Sequence, residues 1–463
     1  MVEKRIESVM VKIKTISRTE EGSVRKSKHD ITKVHHNRDP SLHPFERARE
    51  YTKALTATKL DKMFAKPFIN ALDGHRDTVF CCSTVRNKNV PFISGGCDGE
   101  VKVWDLSHRS CVWSANAHRG FVRGVCPDAS GTSFFSCGDD KLIKHWALTP
   151  NTSSSTSSET TGDVTPLNTI ASSTLLMGID HHWTDKQFAT AGESVQLWDS
   201  ARGDSVHSYK WGADTVNSIK FNPAEACLLG STASDNSIVL YDLRSSQPMK
   251  KFFLPMKSNK LVWNPMEPMN FVVANEDHNI YSFDMRKIDK AMMIHKDHVS
   301  AVMDVAFSPT GREFVSGSYD RTLRMFKTTA GRSRDVYHTK RMQRIYCVAF
   351  SSDARFVLSG SDDTNVRIWK ANASDTLGVQ KGRQDRRQQV RDTIKRRYAH
   401  MPEIKRITTE KKVPKAIKKA TAIRHIQSTS ARRKQENRVA HNDKSHPEQL
   451  APERKKVVVA NLD

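Results

Sequence analysis

Aspartate, serine and histidine recur together in this chain at spacings that suit a buried hydrogen-bond chain better than a reaction. Asp98, Asp140, Asp235, Asp277, Asp320 and Asp363 each stand six residues before an aromatic side chain. Ser94, Ser136, Ser231, Ser316 and Ser359 stand four residues before five of those aspartates, and His75, His118 and His298 stand 22 or 23 residues before three of them. A carboxylate so placed accepts from an imidazole, and the imidazole meets a serine hydroxyl. The hydroxyl in turn takes an indole N–H where the aromatic is Trp104, Trp146 or Trp369. Such a chain satisfies polar groups that a small sheet cannot leave bare.

Little else in the sequence offers catalysis. There is no HExxH, GxSxG or GxxxxGK[ST], and no GxGxxG that opens a helix. The run SGGCDG (Ser94–Gly99) looks suited to phosphate but falls on the first of the aspartate-bearing turns, so the structural reading prevails. His181 with His182, and His35 with His36, have no cysteine or carboxylate at metal-ligand spacing. Cys81 and Cys82 read as packing residues rather than nucleophiles. The expectation is a non-enzymatic scaffold with no catalytic residues, no cofactor, no metal and no small-molecule substrate.

The elements that must position these residues repeat. Aromatic residues preceded by alternating apolar positions recur at Trp104, Trp146, Trp198, Tyr241, Phe283, Phe326 and Trp369, in steps of 42, 52, 43, 42, 43 and 43 residues. The long step contains a Ser/Thr-rich tract, residues 151–163, whose composition reads as a disordered insertion and whose removal restores the period. In the last unit three short runs of period two are visible: Ile345–Phe350, Phe356–Ser359 and Asn365–Trp369. The aspartate falls in the tight turn between the second and third runs, where its side chain bonds local backbone donors.

This pattern resembles the WD40 family, in which each repeat of about 40 to 45 residues forms one four-stranded blade. Seven units imply an all-β propeller of seven blades over residues 68–370. Repeats three, four and five lack the histidine, and repeat five has Val273 where others have serine, so those blades are expected to rely more on apolar packing. No strand pattern follows Trp369. Phe68–Leu72, just ahead of the first repeat, is therefore the candidate for the missing outer strand of the last blade.

Charge separates the propeller from its flanks. The 463 residues carry 74 Lys+Arg and 51 Asp+Glu, a formal net charge of +23. Residues 1–70 account for +7 and residues 371–463 for +14, whereas residues 71–370 hold only +2 together with all eight tryptophans. The hydrophobic share of 37% is low because the flanks are poor in core residues. No apolar run approaches the ~20 residues of a membrane-spanning helix, and the first residues lack the apolar core of a secretory signal. Eight cysteines without a paired framework fit a reducing compartment.

Residues 1–67 read as a basic, extended N-terminal arm. Residues 371–463 read as helical, with one helix from Val379 to Ala399 and a second from about Pro414 to Ala440 carrying Ile417, Ala420, Ile423 and Ile426 as a short apolar set. The candidate contacts to RNA or ribonucleoprotein are Arg386, Arg387, Lys395, Arg396 and Arg397 in the first helix, then Lys405, Arg406, Lys411 and Lys412. Lys418, Lys419, Arg432, Arg433 and Lys434 follow in the second helix. Repeated basic clusters favour phosphate contacts through counterion release. With Tyr398 the sole aromatic of this region, backbone and shape recognition of folded RNA is expected there, not base stacking.

Four further segments resemble the WD-repeat and SOF domain-containing family: LHPFERAREY (Leu42–Tyr51), FAKPF (Phe64–Phe68) running into LDGHRD (Leu72–Asp77), ANASDTLG (Ala371–Gly378), and HMPEIKRI (His400–Ile407) with ARRKQENR (Ala431–Arg438). The residues before Met10 read as an extension relative to that family, with Met10 as an alternative start. The resemblance implies a nuclear and nucleolar scaffold of the small-subunit processome. Its implied partners are precursor rRNA, the U3 small nucleolar ribonucleoprotein and other processome proteins, and its implied role is precursor processing to small-subunit rRNA. It also implies an alternative as substrate receptor of a cullin-4 ubiquitin ligase, through that ligase's DNA-damage-binding adaptor. The motif for that role, an aromatic-Asp-x-Arg box, is matched by YDLR ending at Arg244 and FDMR ending at Arg286.

Overall fold

The computed structural model describes residues 45–86, 88, 91–148, 165–210, 214–245, 247–441, 453–455 and 457–462. The expected insertion 151–163, the alternative start at Met10, the His35–His36 pair and most of the N-terminal arm lie outside the described residues. The described chain forms two compact units, one of 45–59 with Gln380–Lys405 and one of Leu60–Val379 with Arg406 onward.

The larger unit is a propeller of seven antiparallel sheets. Its blades begin at Val79, Val122, Gly178, Val216, Ser258, Val302 and Ile345, and these first strands neighbour one another in a closed ring. In the last unit the strands Ile345–Phe350, Phe356–Ser361 and Val366–Lys370 lie where the period-two runs place them. Phe68–Leu72 completes that blade, with Phe68 opposite Trp369 and Leu72 opposite Val366. Ring closure leaves no long free edge inside the propeller, which is how this architecture avoids edge-to-edge association.

Turn chemistry explains why aspartate marks each repeat. The residue after it takes a left-handed backbone in six blades, at Gly99, Lys141, Asn236, His278, Arg321 and Thr364. In five of them the aspartate carboxylate accepts the backbone N–H two residues on, which holds the turn in that conformation. Gly99 has no substitute in the first blade, because a Cβ there would lie 2.2 Å from the His118 carbonyl oxygen.

A second local device repeats at the ring's centre. In six first strands the pairing register slips at the second residue, a bulge that re-aims that side chain. Because the first strand starts beside the end of the second, these bulges and the aspartate turns share one face of the propeller.

Two parts of the chain depart from expectation. The arm expected to be extended is helical over Glu46–Met63 (α1), whose buried residues Ala54, Ala57 and Thr58 are too small to print an apolar stripe on the sequence. Near the other end, Ala460–Leu462 adds a fifth strand to blade four by pairing with Pro248–Phe253, and Val457 enters the apolar cluster of Phe252, Leu254 and Phe283. Residues expected to belong wholly to the helical region thus also supply propeller structure. The C-terminal helices run Gly382–Arg397 (α2), Pro402–Thr409 (α3) and Lys415–Ala440 (α4), and the short α3 was not foreseen. Among the described residues no helix is long and apolar enough to cross a membrane.

Candidate interaction surfaces

The expected hydrogen-bond chains assemble unequally. In blade two, His118 lies 2.8 Å from Ser136 Oγ through Nε2 and 2.9 Å from Asp140 through Nδ1, while the Trp146 indole donates to Ser136 at 3.0 Å. Burial lowers the His118 pKa, so the neutral ring is the form held. In blade six His298 makes the same two contacts, 2.6 Å to Ser316 and 2.9 Å to Asp320, although Phe326 has no N–H to offer. Burial would raise Asp320, but the charge and hydrogen bond of His298 outweigh it and hold that carboxyl well below the usual range.

Blade one is looser. His75 meets Ser94 at 2.7 Å and Trp104 donates to Ser94 at 2.8 Å, but His75 Nδ1 stands 3.8 Å from Asp98, beyond hydrogen-bonding distance. His75, Asp98 and Glu100 bring their ligand atoms within 4.8 Å of one another, as a metal site would. The Lys102 ammonium, 2.9 Å from Glu100, already supplies a cation to this cluster.

The remaining blades replace chain members. Trp369 donates to Ser359 at 2.8 Å, but Asp363 is held by the Arg367 guanidinium rather than by a histidine. Thr190 takes the serine's part beneath Trp198 at 2.8 Å. In blade four the Ser231 hydroxyl donates to the Tyr241 hydroxyl at 3.2 Å. In blade five Val273 packs in the largest apolar cluster with Phe252, Trp263, Phe271 and Phe283. These last blades rely on apolar contacts, in line with their missing histidines.

The other singled-out side chains are structural. His181 donates from Nδ1 to the His182 carbonyl at 2.7 Å, and His182 donates from Nε2 to Ala226 at 2.8 Å. Burial pushes the Cys81 thiol well up, and a hydrogen bond with Cys347 and burial do the same for Cys82, so neither is a ready thiolate.

Arg244 and Arg286 sit on equivalent turns of blades four and five, after the third strand and therefore on the face opposite the aspartate turns. Both are exposed. Each guanidinium is braced by the aspartate two residues before it, Asp242 or Asp284, through paired 3.1 Å contacts from Nε and one terminal nitrogen. The bracing holds the planar group outward with its other donors open to a partner.

In the smaller unit, α1 meets the C-terminal end of α2 and the first turn of α3 through an acid–aromatic clasp. The Tyr398 hydroxyl donates to Glu50 at 2.9 Å, Arg397 pairs with Glu50 at 2.9 Å, and Tyr51 donates to Glu403 at 3.0 Å. The bonds from Tyr398 and Arg397 lower the Glu50 pKa. Arg397 is thereby partly committed to the fold, as is Lys395 to Asp392 at 2.6 Å. Arg386, Arg387, Arg396 and Lys405 are exposed.

The second half of the basic region is anchored by Arg424, which the sequence did not single out, and by Lys411, which was expected to contact RNA and is instead held by the propeller. Arg424 of α4 donates at 2.9 Å to the His298 carbonyl and also to that of Val299, on the aspartate-turn face. Lys411 reaches Asp297 at 3.0 Å and Ser333 at 2.9 Å. Burial would raise Asp297, but the Ser333 and Arg332 hydrogen bonds and the Lys411 charge bring it down to about 2. Of the expected apolar set Ile417 is buried, but Ile423 and Ile426 are exposed, because the helix is held by Arg424 and not by a continuous stripe. Arg406, Lys412, Lys418, Lys419, Arg433 and Lys434 are exposed, and Arg432 pairs with Glu436 at 2.7 Å.

Comparison with known proteins finds two kinds of domain in the chain. The Sof1-like domain matches residues 371–458, and the WD domain, G-beta repeat, matches residues 66–105, 109–147, 203–242, 290–327 and 335–370. The chain is 47% identical to DDB1- and CUL4-associated factor 13 of Xenopus tropicalis, over 98% of this chain and 100% of that one. It is 48% identical to the Homo sapiens protein of the same name, over 97% of this chain and 99% of that one. Protein SOF1 of Saccharomyces cerevisiae is 43% identical over 92% of this chain and 91% of its own length.

Proposed function

Because the chain belongs to the family of WD-repeat proteins with a Sof1-like C-terminal domain, we propose that it is a non-enzymatic scaffold of the small-subunit processome. It acts in the nucleolus, associates with precursor rRNA and the U3 ribonucleoprotein, and is needed for processing to small-subunit rRNA. One observation carries the reading: residues 371–463 hold 24 basic against 10 acidic side chains, most of those basic groups exposed on helices, beside a nearly neutral propeller. Exposed guanidinium and ammonium groups along a helix meet phosphate backbones through counterion release. The propeller gives proteins a rigid platform, and the basic helices reach RNA.

Depletion tests it. Unprocessed small-subunit precursor RNA accumulates while large-subunit RNA is spared, and the RNA crosslinks include the two flanks, where they fade steeply with salt. Normal processing after depletion would overturn the reading.

A second reading is favoured by the names of the vertebrate relatives and by the braced pair Arg244 and Arg286. The chain also serves as substrate receptor of a cullin-4 ligase, with both guanidinium groups docking on the adaptor. Arg244→Ala with Arg286→Ala then abolishes adaptor co-purification and leaves rRNA processing intact; unchanged co-purification rejects those two residues as the contact.

A further inference from the structure

Around the central channel, on the aspartate-turn face, the bulged second residues of the first strands form an uneven ring. On one side stand Asn217, Asn259 and Met303. On the other stand Phe80, Arg123 and Tyr346, from blades one, two and seven. Neighbouring positions extend this second side into a continuous arc. The Arg123 guanidinium lies 5.2 Å from the centre of the Phe80 ring and 5.0 Å from that of Phe121. Phe80 lies 5.9 Å from Tyr346, Tyr346 lies 5.6 Å from Tyr319, and Arg344 sits 5.3 Å over the Tyr319 ring.

Six planar groups from four blades thus line half of one channel mouth. Phe121 is 41% exposed, Arg344 is exposed, and Phe80, Tyr319 and Tyr346 are half-buried. A core would bury such rings, and an ordinary surface would not gather them. Asp139 pairs with Arg123 at 2.7 Å, whereas among the described residues Arg344 pairs with no carboxylate. With Arg123 neutralised by Asp139, the arc is aromatic and owes its positive charge to Arg344. A cage for a cationic peptide side chain would need carboxylates facing the rings, and here guanidinium groups lie over them. Alternating arginine and aromatic planes instead match unpaired nucleobases, which stack on both, joined by phosphates that guanidinium attracts.

We propose that this arc, Phe80–Phe121–Arg123–Tyr319–Arg344–Tyr346, is a stacking platform for a short single-stranded RNA segment at the mouth of the propeller. It deepens the reading above by adding a base-stacking contact on the folded domain to the backbone contacts of the flanks. The arc selects unpaired over duplex RNA and tolerates many sequences, because every base has a stacking face.

The test uses the full chain with two fluorescent probes, an oligouridylate of about eight residues and an RNA duplex of about sixteen base pairs. Phe121→Ala with Arg344→Ala alters exposed positions, and a thermal melt checks that the fold persists. The single-strand affinity should fall at least about tenfold, since two stacking planes are lost, with duplex affinity unchanged. Phe121→Tyr should restore binding, while Arg344→Lys, which keeps the charge and loses the plane, should not. Photocrosslinks from a thiouridine-substituted strand should reach Phe121 or Tyr346. Unchanged single-strand binding, equal loss on both probes, or crosslinks confined to 381–441 would overturn the platform. So would a trimethyl-lysine peptide whose binding needs Phe121 while the oligouridylate's does not. Failure of the scaffold reading would instead appear as normal rRNA processing on depletion, whichever way the probes behave.

Discussion

Blades two and five are four-stranded antiparallel sheets of the same strand order, yet they are held by different physics. In blade two a neutral buried imidazole, a hydroxyl and a carboxylate satisfy one another, and an indole completes the series. In blade five valine replaces the hydroxyl, and Phe271 packs among Phe252, Trp263 and Phe283 at centroid distances of 6.4, 5.2 and 5.6 Å. A polar series is strong only when each member is present, since a missing partner leaves another group buried and unpaired. An apolar cluster depends on volume instead, and it needs no particular partner.

The largest effect that could break this contrast is in blade five. Phe271→Ala should destabilise the propeller by about 3–5 kcal/mol in denaturant unfolding, through lost transfer energy and the cavity left among three rings. A loss below about 1 kcal/mol would show that the aromatic cluster is not what holds this blade.

Next comes a pH effect, from the histidine on the outer strand of the same blade. His295 meets Ser282 at 2.8 Å and the Ala330 carbonyl at 2.9 Å, and burial pushes its pKa down to about 4. The fold therefore holds the neutral ring, and protonation favours the unfolded chain. Stability should be full above the free imidazole value of about 6.5 and fall by up to about 3 kcal/mol as pH drops towards 4. Melting temperatures across that range check it, and His295→Gln should flatten the slope by about one proton's share.

The smallest of the three sharpens the contrast. Ser136→Ala in blade two strands both His118 and Trp146 and should cost about 1–3 kcal/mol, whereas Ser231→Ala in blade four, which frees only a tyrosine hydroxyl, should cost less than half as much. Equal losses would mean that the histidine adds nothing to the series.

What could be read from the sequence follows the range of the forces involved. The aspartate turns were legible because an Asp side chain, a left-handed residue and a third strand lie within ten residues, as from Asp98 to Trp104. The closing strand Phe68–Leu72 was legible because a ring needs it and the pattern stops at Trp369. Helix α1 was not, since it buries two alanines and a threonine and carries no apolar period. The strand Ala460–Leu462 takes its conformation from the edge at Phe253, which no local pattern announces. Arg367 replaces a histidine from a position outside the serine–aspartate–histidine spacings, so the pattern carried no sign of it. The RNA-contact residues of the flanks were chosen from charge clusters, yet Arg424, the one that pins α4 to the propeller, stands alone in sequence.

Closure of the ring also sets a clock. Leu72 emerges early in synthesis, but its partner Val366 is made only after six blades have followed. At ~5–20 residues per second, the strand waits roughly 15–60 s with its hydrogen-bonding edge unpaired. During that interval only the first and the newest blade have an open side, and the first strand is a ready template for wrong pairing. A ribosome that stalls between the sixth and seventh repeats would release a product with every blade motif but one, and no closed ring.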